Sequence, residues 1–303
     1  MGDGGLSERY LFAGVFPTLA RQPRVFEVCA VPVVSDLFAG YNTLLFSYGI
    51  TNSGKTYTVQ GNSQMPGLLP RSIKSILDED GGEDGWVYQL YVSYFEVYNE
   101  MIYDLLDLDT LTTIAGRART ALLLRSEGGR GNEAFVDGLV EVRVRNVRDL
   151  VRVLQHGQLR RAVHATGLNG GSSRSHALFQ AKLVRLPTAA AKATGAVAAA
   201  NAASAQASVR TLTVVDLAGS ERAKRTGTHG ERLAEAGKIN ASLMTLKKCL
   251  DVRRFNASSE GEDASQLVPY NESKVTRLFQ PALDGGAKTV MVVCIDPYEH
   301  TMD

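Results

Sequence analysis

The sequence predicts an α/β fold in three layers, with a mostly parallel central sheet carrying helices on both faces. Two observations carry that expectation. Strand-like apolar runs alternate with helix-like stretches along the chain, the pattern of a sheet covered on both sides. Two of those runs are apolar enough to be fully buried, and each leads into a residue with chemistry. One ends at Gly49, which opens a glycine-rich loop, and the other ends at Asp216.

The elements follow in order. Thr43 to Tyr48 reads as a short buried strand, and Trp86 to Tyr98, rich in aromatic and β-branched residues, as a long one. Strict alternation from Val140 to Arg145 predicts a strand with one buried and one wet face. A helix should follow, opened by Asn146 with Asp149 three residues on, its apolar stripe made by Val147, Leu150, Val151 and Leu154. Arg210 to Asp216 and Lys288 to Ile295 read as two more buried strands. Ile239 to Phe255 should form a long helix and Ser273 to Gln280 a shorter one. Twelve of the twenty-one residues from Thr188 to Ser208 are alanine, with no sustained apolar stripe, so 187–209 is expected to be a flexible insertion between two strands. No internal repeat is visible.

With 303 residues, 44% of them hydrophobic and 21% charged, the chain can build one large core, and 1–303 is read as a single domain. The net charge of +1 gives no global field for nucleic acid or membranes, so an acidic partner must be met by a local basic patch. Cys29, Cys249 and Cys294 have no metal or disulfide spacing, which fits a reducing, cytosolic compartment. Met1 to Arg9 lacks the apolar stretch of a secretory signal, and no run is long enough to span a bilayer.

Three segments carry chemistry. Gly49, Ile50, Thr51, Asn52, Ser53, Gly54, Lys55 and Thr56 match G-x-x-x-x-G-K-[ST] directly after a strand. Such a loop points consecutive backbone N–H groups at a phosphate, while Lys55 would reach the β- and γ-phosphates and the Thr56 hydroxyl would ligate Mg²⁺. Asp216-Leu217-Ala218-Gly219 places a carboxylate at a strand end, where it can hold the Mg²⁺ shell through water, and Gly219 leaves an N–H free for a γ-phosphate. Asn169 to His176 puts Ser172, Ser173 and Arg174 in a row; small hydroxyls there can bond a γ-phosphate and metal-bound water. By itself, a D-x-x-G is an ordinary strand-to-turn junction and a serine-rich loop is usually just solvated. The phosphate loop beside them makes them informative.

Together, and in this order, G-x-T-x-S-G-K-T, N-x-x-S-S-R-S-H and D-L-A-G-S-E-R resemble the nucleotide site of a kinesin motor domain. Further matches include Ala39-Gly40-Tyr41-Asn42, Tyr98-Asn99-Glu100, Glu235-Ala236-Gly237, Ile239 to Leu243 and Val268-Pro269-Tyr270. The resemblance covers nearly the whole chain. It implies a microtubule-stimulated ATPase with ATP and Mg²⁺, found in the cytoplasm on the microtubule cytoskeleton.

By that resemblance Ser172 and Ser173 contact the γ-phosphate and the Mg²⁺ shell. Arg174 and Glu221 form an ion pair that bridges the two switch segments, and Glu221 helps accept the proton of the attacking water through a water relay. Tyr57 stacks on adenine. The tubulin face draws on Lys224, Arg225, Lys238, Lys274 and Arg277, and an acidic microtubule surface suits such a basic face. A second arginine group (Arg143, Arg145, Arg148, Arg152, Arg160 and Arg161) could add a contact or simply solvate a strand and helix. His176 is read as a packing or loop-ordering residue.

Gly67 to Arg71, Arg160-Arg161 and Ser242 to Leu246 are similar to the cytokinetic, centralspindlin-type kinesins. That subgroup implies a spindle-midzone role and dimerisation through regions outside this chain. Relative to the family pattern, the usual first strand with its R-x-R-P-like element is expected to be missing, as are the last helix and neck linker. Asn271 stands where arginine is common, and Pro281 falls near a helix end. A non-catalytic microtubule-binding module stays open as an alternative. A GTPase is disfavoured because no N-K-x-D guanine-reading motif is found.

Overall fold

The computed structural model describes residues 10–79, 86–107, 119–126, 134–167, 174–187, 207–221, 231–258 and 266–296, with the side chains of 163–167 and 231–236 left aside. In chain order these form α1 (Gln22–Cys29), α2 (Val31–Phe38), β1 (Asn42–Tyr48), α3 (Lys55–Val59), α4 (Leu68–Asp78), β2 (Trp86–Tyr98) and β3 (Met101–Asp104). Next come β4 (Leu124–Ser126), β5 (Ala134–Val136), β6 (Val142–Val144), α5 (Val147–Gly167), β7 (His176–Pro187) and β8 (Ser208–Asp216). The chain continues through α6 (Glu231–Ser258), α7 (Lys274–Pro281) and β9 (Ala287–Val293). The predicted insertion at 187–209 lies almost entirely outside the described residues, with only its two ends in β7 and β8.

The main sheet runs β3-β2-β7-β8-β1-β9, with β6 paired to β2, and β4-β5 forms a separate hairpin. Alternate residues of β1 feed opposite layers. Leu45 packs with Val33, Leu37, Ile73, Leu150 and Val214 under α2, α4 and α5. Leu44 and Phe46 pack with Leu243, Leu246, Val275 and Phe279 under α6 and α7. The three layers are as predicted.

The sheet is mixed, however, rather than mostly parallel. Only β8-β1 and β1-β9 are parallel, while β2-β3, β2-β6, β2-β7 and β7-β8 are antiparallel. A parallel neighbour needs a helical crossover, which α6 and α7 supply between β8 and β9, whereas a tight hairpin forces the antiparallel sense. The β2-β3 hairpin turns on two residues, Asn99 and Glu100, at φ 56° and 59°. A left-handed glutamate is strained, and Glu100 is tied down at its far end: its carboxylate accepts from Ser273 Oγ at 3.0 Å and from the Lys274 N–H at 2.8 Å. The turn thereby holds the start of α7. The second departure is β9, a half-exposed sheet edge rather than a buried strand.

Helix α5 opens as predicted. The Asp149 N–H donates to Asn146 Oδ1 at 3.0 Å and the Arg145 N–H to Asp149 Oδ2 at 3.1 Å, a reciprocal cap. Its buried stripe is rotated from the predicted one, because Val147 and Val151 are exposed while Leu150, Val153 and Leu154 are buried. Close contact at Gly157 decides the rotation. A Cβ there would lie 2.1 Å from Cδ1 of Tyr94, whose buried ring packs edge-on against Phe179. Gly157→Ala should therefore destabilise the fold. Overpacking against a ring that cannot move costs about 1–3 kcal/mol and outweighs the ~1 kcal/mol gained from alanine's helix propensity. A lower urea midpoint at unchanged m-value is expected, and a higher midpoint would contradict this packing.

Candidate functional site

The loop from Gly49 to Gly54 leaves β1 and enters α3 through two left-handed residues, Asn52 at φ 66° and Gly54 at φ 95°. Asparagine tolerates this region better than most side chains. Within the loop, Lys55 Nζ donates to Ile50 O at 2.6 Å and Ser53 Oγ to the same carbonyl at 2.8 Å. Lys55 is only 6% exposed. Burial pulls its pKa below the usual lysine value, against the opposing pull of the Asp216 and Glu221 carboxylates. A cavity of about 260 Å³ opens over the loop, lined by Thr51, Asn52, Gly54, Lys55, Thr56, Tyr57 and Leu217. Tyr57 is half-exposed at its rim.

Asp216 ends β8 directly beneath. Its Oδ2 accepts from Thr56 Oγ1 at 2.9 Å and from Arg161 Nη1 at 3.0 Å. Arg161, 5% exposed, also donates to the Ser175 hydroxyl at 3.2 Å and the Ser175 carbonyl at 2.8 Å. Burial works against the guanidinium charge, but Asp216 beside it holds the Arg161 pKa above its ordinary value. The other oxygen, Asp216 Oδ1, is buried with no hydrogen-bond partner among the described residues. A lone carboxylate oxygen beside a threonine hydroxyl suits a small divalent cation that keeps part of its water shell, so Thr56 and Asp216 fit Mg²⁺.

The segment after Asp216 closes over the loop. The Ser220 N–H donates to Gly49 O at 3.1 Å, and Glu221 accepts from the Thr51 N–H at 2.8 Å and the Thr51 hydroxyl at 2.5 Å. Gly219 lies inside this contact, where a Cβ would sit 2.2 Å from Glu221 Oε2 and 2.3 Å from Thr51 Oγ1. Glu221 thus meets Thr51, a contact the sequence did not announce. An inward-turned loop N–H and a neighbouring hydroxyl are strong donors for the nearest carboxylate. Ser172, Ser173, Lys224 and Arg225 lie outside the described residues.

His176 begins β7 and is 3% exposed. Its Nδ1 accepts from the Ala218 N–H at 3.2 Å, and its Nε2 meets Ser242 Oγ at 2.9 Å. Burial first, then the Arg161 and Lys55 charges, lower its pKa to about 3. On α7, Lys274 is half-buried and Arg277 donates to Ser126 Oγ at 2.6 Å, and on α6 Lys238 is exposed. Lys247, Lys248 and Arg254 add exposed positive charge to α6, which the sequence reading missed.

The arginine group splits by environment. Arg143, Arg145, Arg148 and Arg152 are exposed, Arg160 bonds the Asp107 carbonyl, and Arg161 is buried in the site. A charge on the helical stripe Leu150-Leu154-Gly157-Arg161 was the available signal for Arg161, hidden by the misplaced stripe. Among the described residues no helix is long and apolar enough to cross a membrane, and no cluster of three or more metal-ligating side chains occurs.

A family profile described as the kinesin motor domain matches residues 4–303. Kinesin-like protein KIF23 of Mus musculus is 34% identical over 354 residues, covering 95% of this chain and 36% of that protein. Kinesin-like protein 5 of Schizosaccharomyces pombe is 35% identical over 302 residues, covering 98% of this chain and 32% of that protein. This chain therefore spans about a third of these relatives' length. A solved structure titled "kinesin 6" superposes with a TM-score of 0.77 at 34% identity, covering 94% of this chain and 84% of that one. A KIF14 dimer, titled as holding AMP-PNP in complex with a microtubule, gives a TM-score of 0.75 at 33% identity, covering 93% and 73%.

The low pKa of His176 predicts a pH effect on stability. The native imidazole stays neutral while the unfolded one takes up a proton below its usual 6.5, so this contribution is complete above pH 6.5 and declines as pH falls towards about 3. His176→Gln should flatten the fall of stability with pH in that window, by up to ~1.4 kcal/mol per pH unit. Parallel melting-temperature profiles for variant and wild type would contradict the assignment.

Proposed function

Because the chain belongs to the kinesin motor-domain family, we propose that it is an ATP-dependent microtubule motor domain that couples ATP hydrolysis to its grip on tubulin. The observation that carries this reading is the meeting of two segments, distant in sequence, at one cavity over the phosphate loop. Thr56 bonds Asp216 across 160 residues, and Thr51 bonds Glu221 across 170. Phosphoryl transfer needs positioning and electrostatics more than a dedicated nucleophile, and the site offers those.

In this reading the loop N–H groups from Gly49 to Gly54, with Ile50, Thr51, Asn52 and Ser53 between, cradle the phosphates. Lys55 neutralises their charge, and Tyr57 packs against the base. Thr56, Ser173 and, through water, Asp216 hold Mg²⁺, which when bound offsets the phosphate charge. Ser172, Ser173 and the Gly219 N–H face the γ-phosphate. Glu221 leaves Thr51 for Arg174 as the two switches close, and then draws the proton from the attacking water through a relay. A bond that forms only on closure favours the transition state over the ground state.

The two KIF14 neighbours whose titles place them on microtubules support tubulin as the partner. Lys224, Arg225, Lys238, Lys274 and Arg277 would meet its acidic surface, joined by Lys247, Lys248 and Arg254. The resemblance at Gly67 to Arg71 and Ser242 to Leu246 supports a role in cytokinesis, with dimerisation through further chain.

Lys55→Ala is expected to reduce phosphate release with microtubules present by at least about a hundredfold; wild-type turnover would remove the basis of the reading. Glu221→Ala should bind fluorescent ATP nearly as wild type does yet lose microtubule-stimulated turnover. Equal losses in binding and turnover would contradict the role given to Glu221.

A further inference from the structure

His176 sits at the centre of a one-way hydrogen-bond chain. Ser242 Oγ donates its single proton to Ile239 O at 2.7 Å, so toward His176 Nε2, 2.9 Å away, it can only accept. Nε2 therefore carries the ring proton and Nδ1 is bare, which is what an acceptor for the Ala218 N–H at 3.2 Å must be. The chain reads Ala218 N–H to His176 to Ser242 to Ile239 O, and one neutral tautomer satisfies every link. His176 and Ser242 are each 3% exposed, so water does not compete for these bonds.

The two ends of the chain lie on different working parts. Ala218 precedes Gly219, the residue that faces the γ-phosphate in the proposed mechanism. Ile239 follows Lys238 on α6, the helix that carries the basic face. His176 itself begins β7, two residues after Arg174 and next to Ser175, whose hydroxyl and carbonyl accept from Arg161. The loop after Asp216, the end of the serine-rich segment and α6 are thus pinned at one imidazole.

We propose that His176 is a positioning residue that couples the Gly219 loop to α6, so that a phosphate-dependent shift of the loop reaches the tubulin-facing helix as a rigid displacement. This inference rests on the motor reading above. It assigns no proton transfer to His176, which touches no reacting atom. A hydrogen-bonded bridge transmits displacement better than apolar packing because it resists sliding as well as separation.

The test breaks the bridge at its α6 end, away from the nucleotide. Ser242→Ala should lower the ratio of microtubule-stimulated to basal turnover by at least about fivefold, the lower bound of ordinary coupling between sites. His176→Phe should do the same, and the double variant should be no worse than His176→Phe alone, because one path is cut only once. A wild-type ratio in Ser242→Ala, or a double variant whose loss is the product of the two single losses, would overturn the coupling role. Amide exchange at Ala218 gives a second measurement that needs no activity: it should quicken in Ser242→Ala, and unchanged exchange would also overturn the bridge. A wild-type chain without microtubule stimulation would instead overturn the motor reading, and amide exchange alone would then decide the bridge.

Discussion

The buried carboxylate of Asp216 is the constraint around which this molecule is built. A charge at 2% exposure is costly unless it is paired and hydrogen-bonded, and Asp216 meets that demand from two directions. Thr56 donates from the end of the phosphate loop, and Arg161 donates from α5, on one side of the sheet. Arg161 is a buried charge in its turn and uses further donors on the Ser175 hydroxyl and carbonyl. The pair therefore fixes the phosphate loop, the end of β8, the middle of the chain and the start of β7 relative to one another. Among the described residues it also leaves Asp216 Oδ1 buried without a hydrogen-bond partner.

The rest of the architecture delivers these groups. Gly157 lets α5 approach Tyr94 closely, which sets the rotation that turns Arg161 inward one helical turn later. On the opposite face, the strained turn at Asn99-Glu100 holds α7 by its first residues, while α6 is held by its apolar stripe of Ile239, Leu243 and Leu246. A second tie joins α6 to the end of α7, where Arg253 and Tyr270 both bond Asp284. The basic residues of α6 and α7 thus sit on helices anchored to the sheet and to each other.

Much of this was legible in the sequence. The bounds of β2, the cap at Asn146 and Asp149, and the phosphate loop could all be read from local pattern, because each depends on neighbours within a few residues. What escaped depends on partners far away along the chain. Val147 and Val151 looked like core by spacing, but the docking of α5 is set by Tyr94, which the helix sequence does not contain. Arg161 looked like one of six similar arginines until its carboxylate, 55 residues on, was in place. The sheet's mixed sense was hidden because a buried strand reads the same in either direction, and only the connections choose between them. The bonds of Glu221 to Thr51 likewise join groups 170 residues apart, which no local pattern announces.

The most direct test of this account is a double-mutant cycle between Arg161→Met and Asp216→Asn, read as unfolding free energy in urea. Each single change should cost on the order of 3–5 kcal/mol, because it strands the other group in the core. The double variant should cost no more than either single one. Additive losses, agreeing within about 0.5 kcal/mol of the sum, would mean that the two side chains do not depend on each other and would contradict the central place given to their pair.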